Sequence, residues 1–237
     1  MKITANMYTL DMNLNGFPIY PVLLWSEQDG ATLIDTGMVG SFAELQEAVA
    51  ATGTCWTQIR RVILTHQDID HIGNLPEVVA SLNGKVEIWA HEGDSPVIEG
   101  KQPLLKMSQE RLQQMPEASR AAFLKLFEEL KQLQVSRLLK DGELLPLGGG
   151  LEVIHTPGHT PGHLSFYAHE AKLIIAADAL RVEGGQLVGP NEPFTPDMPL
   201  SLKSLNKLVG RGAEQVLCYH GGLYQGDPDT AINKISK

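Results

Sequence analysis

Four of the six residues in His66-Gln67-Asp68-Ile69-Asp70-His71 are imidazoles or carboxylates. They follow the apolar, β-branched run Arg61-Val-Ile-Leu-Thr65 and precede a helical stretch, where a loop can aim several side chains at one divalent metal ion. A solvated acidic loop would account for the two carboxylates but not for the two histidines that flank them. A second cluster, His155-Thr-Pro-Gly-His159-Thr-Pro-Gly-His163, carries Pro-Gly turns that can hold His159 rigidly. Asp178 follows the apolar run 173–177, and His220 follows Val216-Leu-Cys-Tyr219. Either alone reads as a satisfied buried polar group. Together, strand ends offering His and Asp suit a dinuclear site in which one carboxylate serves both ions. His91, His155, His163 and His169 are not assigned as ligands.

The elements that must position these residues alternate β-branched runs with amphipathic stretches, which predicts a mixed α/β chain. Strands are expected over 3–10, 18–25, 31–35, 61–65, 85–90, 143–147, 151–155, 164–168, 173–177 and 215–219. Helices are expected over 41–53, 75–82 and 200–209, with a last short one near the C-terminus. Ser41 and Glu44 have the spacing of a capping box, and Gly53 can supply the stop. Residues 95–139, rich in Gln, Glu, Lys and Leu, predict a helical insertion that either packs the core or caps a substrate. In both halves strands come before a helix, which fits two sheets packed face to face with helices outside, as one domain over 1–237.

Composition narrows the function classes. The 237 residues are 43% hydrophobic and 20% charged, which excludes a disordered or fibrous chain. No apolar run reaches the roughly 20 residues of a membrane span, and no signal peptide is evident at the N-terminus, so the expectation is cytoplasmic. A net charge of −9 argues against nucleic acid and against an anionic membrane surface, leaving a small-molecule substrate. Oligomeric state is open, with a homodimer as one arrangement. Cys55 and Cys218 form no CxxC pair, and buried thiols are expected at both.

These motifs resemble the metallo-β-lactamase superfamily, whose signature is H-x-H-x-D-H followed by a His, an Asp and a final His. The resemblance runs from Leu33-Ile34-Asp35-Thr36-Gly37 to His220. It implies a four-layer αββα sandwich with metals at one edge. It further implies that His66, Asp68 and His159 hold one ion, that Asp70, His71 and His220 hold the other, that Asp178 bridges, and that Asp35 orients a ligand. One residue departs from the pattern: Asp68 stands where the family carries its second histidine. Its extra negative charge would bring two divalent ions, three carboxylates and a bridging hydroxide to about neutral, instead of about +1. Zinc is then the first expectation, with iron or manganese made more competitive, and an Asp68 turned away would leave the first site weak.

The implied activity is hydrolysis of a small ester, lactone, thioester or amide by a metal-bridging hydroxide, with Asp70 sharing a proton with the nucleophile. The layout is similar to the quorum-quenching lactonase branch, but Arg181 stands where that branch has a tyrosine, so an anionic substrate group held by Arg181 is an alternative. A di-iron oxidoreductase with a separate electron donor is the rival class, because flavodi-iron relatives also carry a carboxylate at the second ligand position. Metal binding without catalysis is the third.

Overall fold

Alternate residues of a strand point to opposite faces, and that period of two separates three hydrophobic layers here. The computed structural model describes residues 1–14 and 16–237. In chain order the first half runs β1 (Met7–Thr9), β2 (Met12–Leu14), β3 (Phe17–Ile19), β4 (Val22–Ser26), β5 (Gly30–Ile34), α1 (Phe42–Ala51), β6 (Ile59–Ile63), α2 (Ile69–Ile72), α3 (Leu75–Ser81) and β7 (Glu87–His91). It continues through α4 (Ser95–Ile98), α5 (Gln109–Gln114), α6 (Glu117–Leu130) and β8 (Arg137–Leu139). The second half runs β9 (Leu144–Leu145), β10 (Leu151–His155), β11 (Leu164–Ala168), β12 (Leu173–Ala177), β13 (Arg181–Glu183), β14 (Gln186–Val188), α7 (Met198–Ser204), β15 (Gln215–Cys218), β16 (Gly222–Tyr224) and α8 (Pro228–Ile235).

Two six-stranded sheets result, in the orders β1-β4-β5-β6-β7-β8 and β16-β15-β12-β11-β10-β9. Along β12, Leu173 and Ile175 enter the core between the sheets, while Ile174 and Ala176 face the outer core that includes Leu205 and Ile232. Along β6, Ile63 faces the inner core and Val62 the outer one, with Leu45 and Val49 of α1, Val78 of α3 and Phe123 and Leu130 of α6. The parallel pairs β5–β6, β6–β7, β7–β8 and β12–β15 require crossovers, and these place helices outside both sheets. The architecture is therefore the expected αββα sandwich.

Local differences have local causes. The strand expected over 18–25 is broken at Pro21, which offers no N–H: Phe17–Ile19 pairs with Met12–Leu14 as a hairpin, and the main sheet resumes at Val22. Ser41 precedes α1 without the expected capping box. Its hydroxyl donates to Met38 O (2.7 Å) and accepts from Asn74 Nδ2 (2.9 Å), while Glu44 accepts the Asn13 N–H. The segment expected as helical over 95–139 ends in a strand, because β8 extends the first sheet beside β7. Cys218 is buried as expected, but Cys55 is exposed in the turn before Trp56. Among the described residues no helix is long and apolar enough to cross a membrane.

Candidate metal centre

Chain segments that leave the C-terminal ends of parallel strands converge at one edge of the sandwich, where α/β sheets generally place their ligands. His66 follows β6, Asp35 follows β5, Asp178 follows β12 and His220 lies two residues beyond β15. Asp70 and His71 lie in the single turn of α2, held from behind because the Thr36 N–H and hydroxyl both donate to His71 O (2.7 and 2.8 Å). A Cβ on Gly73 would lie 2.3 Å from the Val39 amide nitrogen, so only glycine lets this turn close on the Asp35–Gly37 loop. The loop bearing His159 closes by Thr156 N–H to His163 O (2.9 Å) and packs against α7 at Gly158.

The seven residues picked out as ligands come together as two adjoining groups. His66, Asp68, His159 and Asp178 form one, and Asp70, His71 and His220 the other, with the donor atoms of each within 4.8 Å of one another. In the first, Asp68 Oδ2 is 3.4 Å from His66 Nε2 and 3.1 Å from His159 Nε2. In the second, Asp70 Oδ2 is 3.2 Å from His220 Nε2 and 3.9 Å from His71 Nε2. Asp178 faces both, with Oδ1 3.4 Å from His71 Nε2, and Oδ2 3.4 Å from His159 Nε2 and 3.5 Å from His220 Nε2. Donors sharing a tetrahedral ion at ordinary bond lengths stand about 3.3 Å apart.

Hydrogen bonds on the far side of each ring fix which nitrogen faces the centre. His71 Nδ1–H donates to Asp35 Oδ2 (2.8 Å), and Asp35 also accepts from the Thr65 N–H and hydroxyl (2.8 Å each). With its proton committed to Asp35, the Thr65 hydroxyl accepts from His66 Nδ1–H (2.9 Å). Thr195 donates to Asn191 O, so it accepts from His159 Nδ1–H (3.2 Å). All three Nε2 atoms thus turn toward the carboxylates, as metal-bound imidazoles require. His66 Nε2, His71 Nε2 and Asp178 Oδ1 are buried without a hydrogen-bond partner among the described residues. Buried polar atoms are rarely left so, and divalent cations would satisfy all three. The residues present fit such ions by type, spacing and orphaned lone pairs.

Electrostatics agree. Burial alone would lower the pKa of His71, but Asp35, Asp178 and Asp70 outweigh it and raise it well above the usual range. His220, against the same opposing burial, is pushed up to about 9 by Asp178 and Asp70. In the ion-free protein a proton thus takes the cation's place. A raised histidine contributes stability below its unfolded pKa of 6.5 that is lost as pH rises through the folded value. His66 and His163 are lowered, chiefly by burial, so their contributions are complete above 6.5 and do not oppose this. Chelated protein is therefore expected to melt at progressively lower temperature from pH 6.5 to 9, and metal-loaded protein to change little. Parallel melting curves for the two forms would contradict it.

Three residues of the centre carry no signal in the local sequence. Lys106, between α4 and α5, donates to Asp68 and to His159 Nε2 (2.7 Å). Buried Asp94 accepts from the Gln67 N–H and Nε2 and from the Thr160 hydroxyl and Gly162 N–H, joining the two ligand loops. Tyr219 stacks on His71 with ring centres 3.8 Å apart and donates to Asp70 O. A cleft of about 130 Å³ opens beside Asp68 and Asp70, lined by Leu104, Lys106, Met107, Arg111 and Phe194. The segment 95–139 thus supplies core residues, among them Phe123 and Leu130, and part of the wall of this cleft. Arg181 Nε donates to Gly189 O (3.2 Å) and its Nη1 pairs with Glu183, at the β13–β14 hairpin. His163 accepts the Asp178 N–H at Nε2 (3.2 Å), while His91 and His155 stack on each other at 3.9 Å and His169 pairs with Glu152.

The sequence model of the metallo-beta-lactamase superfamily matches residues 14–220. The probable metallo-hydrolase YflN of Bacillus subtilis is 29% identical over 215 residues, covering 86% of this chain and 80% of that protein. The hydroxyacylglutathione hydrolase GloC of Haemophilus influenzae is 28% identical over 165 residues, covering 69% and 66%. The crystal structure of the metallo-beta-lactamase family protein TTHA1429 from Thermus thermophilus superposes with a TM-score of 0.70 at 25% identity, over 99% of this chain and 79% of that one.

Proposed function

Since the chain belongs to the metallo-beta-lactamase superfamily, we propose that it hydrolyses a small ester, lactone, thioester or amide with divalent metal ions as cofactors. The observation that carries this reading is the convergence of seven donor residues beside a cleft, three of them with buried atoms lacking hydrogen-bond partners among the described residues. His66, Asp68 and His159 would hold one ion, Asp70, His71 and His220 another, and Asp178 would serve both. When bound, such ions polarise the scissile carbonyl and make water nucleophilic at neutral pH, with zinc as first candidate and iron or manganese favoured by the added carboxylate of Asp68.

The chain's own residues do the rest. Asp70 lines the cleft, so its carboxylate can take a proton from the attacking water and return it to the leaving group. Tyr219, through its hydrogen bond to Asp70 O, and Asp35, through His71, keep that carboxylate and imidazole aimed. Leu104, Met107 and Phe194 offer an apolar wall that keeps water from the substrate's body. Arg111 lies over the Phe194 ring at 5.5 Å, and its Nη1 donates to Lys106 O (2.9 Å). A guanidinium in the cleft wall supports a reading in which Arg111 meets an anionic group of the substrate, the role offered as an alternative for Arg181. Arg111→Ala should raise KM about tenfold for substrates with a carboxylate and leave neutral ones within twofold, the loss of one charge-assisted contact. An equal effect on both would assign Arg111 a packing role only.

The test is a hydrolysis panel run on metal-loaded and chelated protein. A glutathione thioester leads it, because one relative is a hydroxyacylglutathione hydrolase, followed by a lactone, an aryl ester and a phosphodiester. Turnover of at least one acyl substrate by loaded protein only is expected. Equal rates after chelation, or turnover of the phosphodiester alone, would overturn the reading.

A further inference from the structure

The two halves of the centre differ in what already fills them. Lys106 Nζ lies among the donors of the first group: it pairs with the Asp68 carboxylate and sits 2.7 Å from His159 Nε2, the same two atoms that would bind an ion there. Its side chain is only 12% exposed. The backbone around it is fixed, with the Leu105 N–H donating to Gln67 Oε1 (2.9 Å) and Arg111 Nη1 to Lys106 O (2.9 Å). The ammonium is thus built into the pocket. In the second group, among the described residues, Asp70 and Asp178 pair with histidines and with no lysine or arginine, and His71 Nε2 is left without a hydrogen-bond partner, as His66 Nε2 is in the first.

Charge gives the same asymmetry. An aspartate with its own lysine sums to zero, as does the neutral imidazole that the family pattern places at position 68. A divalent ion entering the first group must break this buried pair and then share the pocket with the displaced ammonium, and both steps oppose binding. On the metal-hydrolase reading above, we propose that Lys106 is the resident cation of the His66/Asp68/His159 group. The protein then holds one divalent ion tightly, at Asp70, His71, His220 and Asp178, and admits a second only by expelling the lysine. This reading departs from the expectation that each group holds an ion.

The test is a titration of chelated full-length protein with Zn²⁺ against a competing chromophoric chelator, and with Co²⁺ followed by its visible absorption. Wild type is expected to take up one tight equivalent and a second at least tenfold more weakly. Lys106→Met, of similar length without the charge, should tighten the second equivalent at least tenfold, about 1.4 kcal/mol. It should also add a second Co²⁺ spectrum. If that variant melts far below wild type, Lys106→Gln removes the charge and keeps polarity, with the same expectation. Two equally tight equivalents in wild type, or a second equivalent unchanged or weakened in both variants, would overturn the lysine proposal while leaving a metal hydrolase intact. Absence of tight metal in wild type and variants alike would overturn the functional reading itself, and this proposal with it.

Discussion

Asp178→Ala is expected to lower kcat/KM on the order of a thousandfold, the scale on which active sites lose rate when a preorganised electrostatic group is removed. Asp178 is the one carboxylate with oxygens toward both groups, 3.4 Å from His71 and 3.4 and 3.5 Å from His159 and His220. The backbone is shaped to deliver it. Ala177, directly before it, has φ of 47°, a left-handed conformation that costs a non-glycine residue energy, and the β12–β15 register shifts between Ile175 and Ala177. The His163 ring then receives the Asp178 N–H (3.2 Å), itself held by the Thr156 hydroxyl, which pairs in turn with the Ser165 hydroxyl. Elemental analysis of the variant should find less than one tightly held ion per chain. Asp178→Asn, which keeps one oxygen toward the cluster, should fall between. Wild-type metal content with activity within tenfold of wild type would remove Asp178 from the bridging role proposed for it.

The parts of this centre that were legible in the sequence are those whose signal is local. His66 to His71 lie within six residues, and the Pro-Gly turns flank His159, so residue type and spacing alone point to ligands there. Asp178 and His220 became legible only as residues just beyond apolar strands, and their convergence depends on the parallel β12–β15 pairing. Lys106 and Asp94 are different. Lys106 sits 38 residues from Asp68 in a polar stretch where a lysine is ordinary, and Asp94 meets Thr160 across 66 residues. Only the packing of the helical segment against the ligand loops brings them in. Arg181 is the converse case: it stands out only by the position at which the lactonase branch carries a tyrosine, and the contacts of its guanidinium with Gly189 and Glu183 depend on the β13–β14 hairpin, which that position does not reveal. The layers themselves were readable from periodicity, because each buried strand alternates between two cores. The break at Pro21 was not, since the apolar pattern continues through it.

Asp94→Ala should be the most damaging substitution outside the ligand set. The carboxylate is 1% exposed and accepts four hydrogen bonds: from Gln67 N–H (3.1 Å), Gln67 Nε2 (3.0 Å), the Thr160 hydroxyl (2.6 Å) and Gly162 N–H (2.8 Å). Alanine leaves two buried backbone N–H groups unsatisfied at about 1–3 kcal/mol each. For a chain of this size that corresponds to a fall in Tm of roughly 5–20 °C. Asparagine is no rescue, because all four neighbours are donors and its amide would turn a donor toward some of them. The close approach is equally specific on the other side, since a Cβ at Gly162 would lie 2.5 Å from the Asp94 amide nitrogen. Gly162→Ala should therefore resemble Asp94→Ala. Because Asp94 ties the His66 loop to the His159 loop and touches neither Asp70 nor His220, the surviving folded protein should keep the tight metal uptake proposed for the Asp70, His71 and His220 group. Its affinity at the His66/Asp68/His159 group should fall further. Calorimetry and a Co²⁺ titration separate the outcomes: a Tm near wild type would mean that neighbouring donors find other acceptors, and loss of both equivalents in parallel would mean that Asp94 supports the whole edge of the sandwich and not one pair of loops.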